Sequence, residues 1–87
     1  MAFYVYILKC CDGSFYTGYT KDIGERIRQH QTGKGARYTK SHPPERLAYV
    51  EIFNSRSKAM KREREIKKLN HLQKQALIKK DNQVNGF

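Results

Sequence analysis

The chain begins with two short segments that are rich in aromatic and β-branched residues and nearly free of charge. The first, FYVYILKC, runs from Phe3 to Cys10, and neither of its alternating faces is strongly polar. This pattern is typical of a strand that is covered on both faces, and it predicts a central position in a sheet. The second segment, SFYTGYT, runs from Ser14 to Thr20 and predicts a neighbouring strand. The turn sequence Cys-Asp-Gly between them predicts a β-hairpin.

The length of the hairpin loop decides which tyrosines share a face of the sheet. A two-residue Asp-Gly turn would place Tyr6 and Tyr16 on opposite faces. A three-residue loop, with Gly13 in the left-handed conformation, would pair Leu8 with Tyr16 and Tyr6 with Gly18. We favour the three-residue loop because Cys-Asp-Gly suits a type I turn followed by a glycine bulge. Both tyrosines then lie on one face as diagonal neighbours, with open space at Gly18 opposite Tyr6.

A helix is predicted after the hairpin. Asp22 is a suitable N-cap, the helix runs to about Thr32, and Gly33 ends it. The apolar stripe of this helix is formed at helical spacing by Ile23, Ile27 and His30, and Arg26 lies at its edge.

The second half of the chain predicts a loop, one strand and two helices. The stretch from Gly33 to Glu45 has no periodicity and reads as a long loop, and the segment from Arg46 to Phe53 reads as the third strand. Ser55 or Ser57 caps a helix through Leu69, and Asn70 caps another from His71 to about Lys80. The predicted fold is α+β: a small three-stranded antiparallel sheet flanked by helices in the order ββαβαα. It forms a single domain over residues 1–80, followed by a frayed tail over residues 81–87.

One acidic residue lies close to buried surface in the helix that follows the third predicted strand. In that helix Ala59, Met60, Ile66 and Leu69 mark the buried side, and Glu63 lies about 50° from its centre. A carboxylate beside an apolar face is costly unless a cation or a metal ion partners it. We therefore expect Glu63 to have either a cation or a metal ion as its partner.

Composition narrows the possible functions. There are 18 Lys and Arg against 8 Asp and Glu, a net charge of +10 on 87 residues, and ten of the basic residues lie between Ser55 and Lys80. No apolar run approaches the roughly 20 residues that span a bilayer, so we expect no membrane segment. Cys10 and Cys11 are too few for a disulfide framework and read as reduced thiols of a cytoplasmic protein. The excess charge favours a nucleic-acid partner, the alternative being that it only keeps the protein soluble.

The polar residues next to predicted buried surface resemble the signature of the GIY-YIG nuclease superfamily. Tyr4-Val5-Tyr6 matches the first signature segment, and Tyr16-Thr17-Gly18 matches the second. The two key tyrosines, Tyr6 and Tyr16, are ten residues apart. Arg26 follows by another ten residues, His30 comes one turn after it, and an A-x-x-x-E element ends at Glu63. The resemblance spans most of the chain and is strongest to small stand-alone bacterial members of unassigned function. Tyr4 and Thr17 depart from the usual Gly and Ile, and a later Asn of some members has no clear counterpart.

The resemblance implies hydrolysis of phosphodiester bonds in DNA, with RNA as a second possibility, with little sequence preference. Glu63 would hold one Mg²⁺ or Mn²⁺ ion, and Arg26 would grip the scissile phosphate. Tyr6, more than Tyr16, would accept the proton of the attacking water; Tyr16 would orient water or phosphate, and His30 would shuttle a proton or bind phosphate. We also predict nucleic-acid contacts from basic and aromatic residues of the loop and the later helix: Lys34, Arg37, Tyr38, Lys40, Lys61 and Arg62.

Each of these interpretations has a structural alternative. Tyr6 and Tyr16 are also typical sheet aromatics, His30 also fits a hydrogen-bonded core histidine, and Arg26 could pair with Glu63 only to stabilise the fold. The function has alternatives as well. One is a non-catalytic nucleic-acid-binding module of the same fold that acts with a partner, and a weaker one is an adaptor whose basic helices dock an acidic protein.

Overall fold

The computed structural model describes residues 2–33 and 37–85. Its three strands are β1 (Phe3–Cys10), β2 (Phe15–Thr20) and β3 (Pro44–Phe53). They form one antiparallel sheet in the order β2-β1-β3, so β1 is central, as its two apolar faces predict. The helices are α1 (Ile23–Gln31), α2 (Arg37–Ser41), α3 (Arg56–Lys67) and α4 (His71–Asn85). The predicted α+β class is confirmed.

The hairpin between β1 and β2 has the predicted three-residue loop. Tyr6 lies opposite Gly18 and Leu8 lies opposite Tyr16 in the register. Gly13 has a φ of 89°, a left-handed conformation that glycine adopts without steric cost. Its N–H donates to the carbonyl of Cys10 at 2.9 Å, closing the turn. Both tyrosines therefore lie on the same face of the sheet.

The two faces of the sheet are covered by different helices. On one face Val5 and Ile7 pack with Ala59 and Ile66 of α3 and with Ile78 of α4, and this is the main core. On the other face Tyr6 and Leu8 are fully or almost fully buried, and α1 lies against them. Within the described residues, no helix is long and apolar enough to cross a bilayer.

Helix ends follow the predicted capping residues. The Asp22 side chain accepts a hydrogen bond from the Glu25 N–H at 3.0 Å at the start of α1. Of the two candidate serines, Ser55 caps α3. The Asn70 side chain accepts from the Gln73 N–H at 2.8 Å at the start of α4. Local side-chain chemistry thus fixes where these helices begin.

The structure differs from the predicted elements in several places, among them the end of α3, which lies at Lys67 instead of Leu69. The predicted loop contains the short helix α2, whose sequence has no helical period. A helix of five residues depends on tertiary contacts more than on its own sequence, so no pattern indicates it. β3 begins at Pro44 instead of Arg46, since proline is tolerated at the first residue of an edge strand. α4 continues to Asn85, beyond its predicted end at about Lys80, and residues 81–85 contain no Gly or Pro to end a helix.

Candidate active site

The site is centred on the hydroxyl of Tyr6, in the middle of the central strand. Tyr6 has no exposed surface. Its oxygen lies 3.0 Å from Nε2 of His30 and accepts a hydrogen bond from Nε of Arg26 at 3.4 Å. Because Arg26 and His30 are four residues apart, they project from the same side of α1. One face of α1 therefore places both Arg26 and His30 within hydrogen-bonding distance of the Tyr6 hydroxyl.

Tyr16 completes an aromatic cluster around the same point. Its ring centroid lies 6.3 Å from that of Tyr6 and 5.2 Å from that of His30. The structure thus brings together four of the five predicted catalytic residues: Tyr6, Tyr16, Arg26 and His30. Their catalytic roles stay predictions.

Gly18 allows the two tyrosines to lie against the backbone of β2. A Cβ atom on Gly18 would lie 2.6 Å from the hydroxyl oxygen of Tyr6 and 3.1 Å from Cε2 of Tyr16. Both distances are shorter than ordinary van der Waals contact. The space expected at this glycine is filled by the Tyr6 side chain, and any larger residue would displace it.

Thr39 of α2 extends the hydrogen-bonded chain. Its Oγ1 lies 2.7 Å from Nδ1 of His30, and both residues are buried. No sequence pattern indicates this contact, because Thr39 lies in a segment without periodicity. The result is a buried chain of polar groups in the order Arg26, Tyr6, His30 and Thr39.

The electrostatics of the site favour neutral forms of Tyr6 and His30. Burial raises the pKa of Tyr6 to about 12, and the hydrogen bond from Arg26 offsets only part of this effect. Burial and the charge of Arg26 together lower the pKa of His30 below its ordinary value. At neutral pH Tyr6 therefore keeps its proton and the imidazole is uncharged.

These protonation states assign the tautomer of His30. The protonated Tyr6 hydroxyl needs an acceptor, and Nε2 is the acceptor within reach. Nδ1 then carries the ring proton and donates it to Oγ1 of Thr39. His30 thus accepts a hydrogen bond from Tyr6 and is held in place by Thr39.

Glu63 is the fifth predicted catalytic residue, and it lies in α3. Its side chain is only 16% exposed, and Oε2 lies 3.3 Å from Nζ of Lys67. Burial is the main cause of the raised pKa of Tyr6, and the negative charge of Glu63 adds the smallest contribution. Arg26 instead donates to the Gln29 side chain at 3.1 Å, and within the described part of the chain it forms no ion pair with Glu63. The alternative of a structural Arg26–Glu63 pair is therefore wrong.

A divalent ion at this site would have few protein ligands. The described residues contain no group of three or more His, Cys, Asp or Glu that could enclose a metal. A single carboxylate with hard oxygen donors suits Mg²⁺ or Mn²⁺ that keeps most of its water ligands. Glu63 supplies one such carboxylate, and its side chain keeps part of its surface open to solvent.

The predicted nucleic-acid contacts fall into different surroundings. Tyr38 of α2 stacks on Tyr16, with ring centroids 5.9 Å apart, and on His42, with centroids 4.0 Å apart. Lys40 and Lys61 are exposed. Lys34 lies outside the described residues, and Arg37 is the first residue of α2. The structure therefore places Tyr38, among these six, against the active-site cluster.

Arg62 is held by an acidic partner of β3. Its Nε lies 3.0 Å from Oε1 of Glu51, its Nη2 lies 3.0 Å from Oε2, and its Nη1 lies 3.3 Å from Glu65. These contacts raise the pKa of Arg62 above its ordinary value. A phosphate would have to compete with two carboxylates for this guanidinium.

Comparison with known proteins gives consistent matches. The model of the GIY-YIG catalytic domain matches residues 2–76. A UPF0213 protein of Staphylococcus saprophyticus is 53% identical over 75 residues, which are 86% of this chain and 92% of that protein. A UPF0213 protein of Halobacterium salinarum is 47% identical over 75 residues, covering 86% of this chain and 97% of that one.

Two solution NMR structures are similar to this fold. The first is a UPF0213 protein from Bacillus halodurans, with a TM-score of 0.59 and 48% identity over 91% of this chain and 84% of that one. The second is a protein from E. faecalis, with a TM-score of 0.64 and 40% identity over 94% of this chain and 88% of that one.

Proposed function

This chain belongs to the family of GIY-YIG catalytic domains, and we propose that it is a divalent-metal-dependent nuclease that hydrolyses phosphodiester bonds in DNA. RNA is a second substrate class of the same chemistry. The observation that carries the proposal is the buried chain of Arg26, Tyr6, His30 and Thr39, in which a tyrosine lies between a cation and a neutral base. A buried structural tyrosine needs one hydrogen-bond partner, whereas Tyr6 has both a cation and a base.

In this proposal Tyr6 passes on the proton of the attacking water. The hydroxyl of Tyr6 gives its own proton to Nε2 of His30 as it takes one from the water. In the imidazolium that forms, the other proton stays on Nδ1, which continues to donate a hydrogen bond to Oγ1 of Thr39. Because burial opposes a free tyrosinate, the two transfers are expected to occur together and not through a long-lived charged tyrosine.

Arg26 has a double role in the proposal. In the free protein its Nε contacts the Tyr6 hydroxyl through a long hydrogen bond of 3.4 Å. A phosphate offers the guanidinium a stronger, charged and bidentate partner. Substrate binding would therefore draw Arg26 away from Tyr6 and open the buried hydroxyl to the attacking water.

Glu63 would hold the divalent ion in the proposal. When bound, such an ion stabilises negative charge on the phosphate and on the leaving oxygen. The adjacent Lys67, paired with Glu63 at 3.3 Å, would release the carboxylate for this purpose. Lys67 is half exposed and the pair spans one helical turn, so replacing Lys67 by a divalent ion would cost little.

The test is cleavage of supercoiled plasmid by the purified full chain with Mg²⁺ or Mn²⁺. We expect nicking that falls at least about a hundredfold in Glu63→Gln and Arg26→Gln, because each removes a group that contacts the reacting atoms. Arg64→Gln is the matched control, since Arg64 is an exposed arginine of α3 with no hydrogen bond or ion pair to the described residues. Undiminished nicking by both active-site variants would reveal a contaminating nuclease and refute the proposal.

A non-catalytic nucleic-acid-binding module is the second candidate. It is favoured by the ten basic residues between Ser55 and Lys80, opposed by two acidic residues. This function predicts binding that weakens steeply with salt and is unaffected by Glu63→Gln. Tight binding by the wild-type chain without nicking under any divalent ion would select it over the nuclease.

A further inference from the structure

A cavity lies beside Arg26, between α1 and the start of α3. Its volume is about 330 Å³, within the usual range of small-ligand sites. We name it the α1–α3 pocket. Its cationic lining residues are Lys21, Arg26 and Arg56. Neither the predicted catalytic residues nor the predicted nucleic-acid contacts include Lys21 or Arg56.

The acidic groups of this pocket already have partners, whereas two of its cations do not. The Asp22 side chain caps α1 by accepting a hydrogen bond from the Glu25 N–H. The Glu25 carboxylate pairs at 2.6 Å with Arg28, which does not line the pocket. Lys21 and Arg56 are exposed and make no hydrogen bond or ion pair with the part of the chain that the structure describes. With three cations against two carboxylates, the lining has a net positive charge, and Lys21 and Arg56 are available to an anion.

The geometry of α3 connects this pocket with the candidate metal ligand. Arg56 and Glu63 are seven residues apart, which puts them on the same side of the helix and about 10 Å apart along its axis. One strand of nucleic acid advances about 3.4 Å per phosphate along its axis. A strand lying along α3 would thus have its scissile phosphate near Glu63 and Arg26 and a phosphate a few nucleotides away near Arg56.

We propose that the α1–α3 pocket is a second phosphate subsite, in which Arg56 and Lys21 hold a backbone phosphate of the cleaved strand flanking the scissile one. This inference rests on the proposed nuclease function. Arg26 borders both sites, so it joins the subsite to the reacting phosphate. The subsite would fix the direction of the strand across the site without reading its sequence, because phosphate contacts carry no base information.

The first test compares Arg56→Gln with Arg64→Gln in binding a fluorescent 20-nucleotide single strand in EDTA, over a series of salt concentrations. We expect Arg56→Gln to bind about tenfold more weakly than Arg64→Gln, as the loss of a charged hydrogen bond predicts. The slope of log affinity against log salt should fall in magnitude by about one for Arg56→Gln relative to wild type. Both arginines are exposed, so neither variant should affect folding, and a thermal melt checks this.

The second test titrates the wild-type chain with inorganic phosphate and follows the backbone amide of Lys21 and the side-chain Nε–H of Arg56 by NMR. Saturable shifts at both groups are expected, and the shift at Lys21 should be lost in Arg56→Gln. Equal behaviour of Arg56→Gln and Arg64→Gln in a chain that binds and cleaves DNA would overturn this inference alone. Failure of the wild-type chain to bind the oligonucleotide would overturn the proposed function and the inference with it.

Discussion

Two buried tyrosines on neighbouring strands of the sheet have nearly the same acidity and entirely different surroundings. Burial raises the pKa of both Tyr6 and Tyr49 to about 12. Tyr49 donates to the Glu51 carboxylate, which Arg62 grips with two of its nitrogens. Tyr6 has a cation on one side and a neutral imidazole on the other.

The difference lies in where each hydroxyl proton can go. Glu51 is an anion already satisfied by Arg62, so transfer of the Tyr49 proton would neutralise the carboxylate and break a charged pair. The proton of Tyr6 faces Nε2 of His30, a neutral base whose other nitrogen is anchored by Thr39. The raised pKa therefore does not distinguish the two tyrosines; the neighbouring acceptor does, and it is the feature on which the proposed role of Tyr6 depends.

The largest difference between the two tyrosines is expected when each hydroxyl is removed. Tyr6→Phe should lower the rate of plasmid nicking by about 10²–10⁴-fold, the usual contribution of a proton-transfer group. Tyr49→Phe should leave the rate within about twofold, and both variants should lose on the order of 1 kcal/mol of unfolding free energy in urea. The measurements are initial nicking rates and equilibrium denaturation. Equal rate losses in the two variants would show that hydroxyl loss acts through stability only.

A smaller effect is expected from disturbing the position of Tyr6 without changing its chemistry. Gly18→Ala should lower the nicking rate by about a hundredfold, since a displacement near 1 Å can cost that much. The same change should destabilise the fold by about 1–3 kcal/mol through overpacking.

The matched control for this prediction is Gly24→Ala in α1. A Cβ atom there would have its nearest contact at 3.8 Å, from the Asp22 side chain, which is ordinary packing. Alanine should stabilise the helix by about 0.5 kcal/mol and leave the rate unchanged. If Gly18→Ala retained full activity, the rigid placement of Tyr6 against β2 would not matter to the reaction.

The smallest difference between the two tyrosines is expected in their titration. The unfolded chain releases tyrosine protons near pH 10, whereas Tyr6 and Tyr49 keep theirs to about 12. Between these values the folded state binds more protons, so the stability that both groups contribute below pH 10 is lost as the pH rises.

Urea denaturation between pH 9 and 12 measures this loss. Tyr6→Phe and Tyr49→Phe should each reduce the slope of unfolding free energy against pH by about one proton relative to wild type. A reduction in one variant and none in the other would mean that the two hydroxyls do not share the same acidity in the folded state.

Local sequence patterns predicted most of the fold and the central cluster. The turn chemistry of Cys-Asp-Gly fixed the hairpin register, and the period of two along a strand then placed Tyr6 and Tyr16 on one face. The helical period brought Arg26 and His30 to one side of α1. These features depend on neighbours within a few residues or on one turn, which is why sequence suffices for them.

Features that depend on packing between distant segments were not predictable. α2 has five residues and no apolar period, so neither the helix nor the contact of Thr39 with His30 could be foreseen. Arg62 reads as a free surface cation because its partner Glu51 is eleven residues away on another element. The length of α4 differs from the prediction in another way. The sequence after Lys80 has no stop signal before Gly86, so the longer helix is compatible with the local pattern.

The three-residue turn at Gly13 has a consequence for how such chains can change through insertions and deletions. Most surface loops tolerate a gained or lost residue, because only loop-closure entropy changes. Here one residue more or less would shift β2 by one position and carry the Tyr16 ring to the opposite side of the sheet, away from His30. The number of residues in an exposed turn, far from any reacting atom, is thus as tightly constrained as the identity of a catalytic side chain.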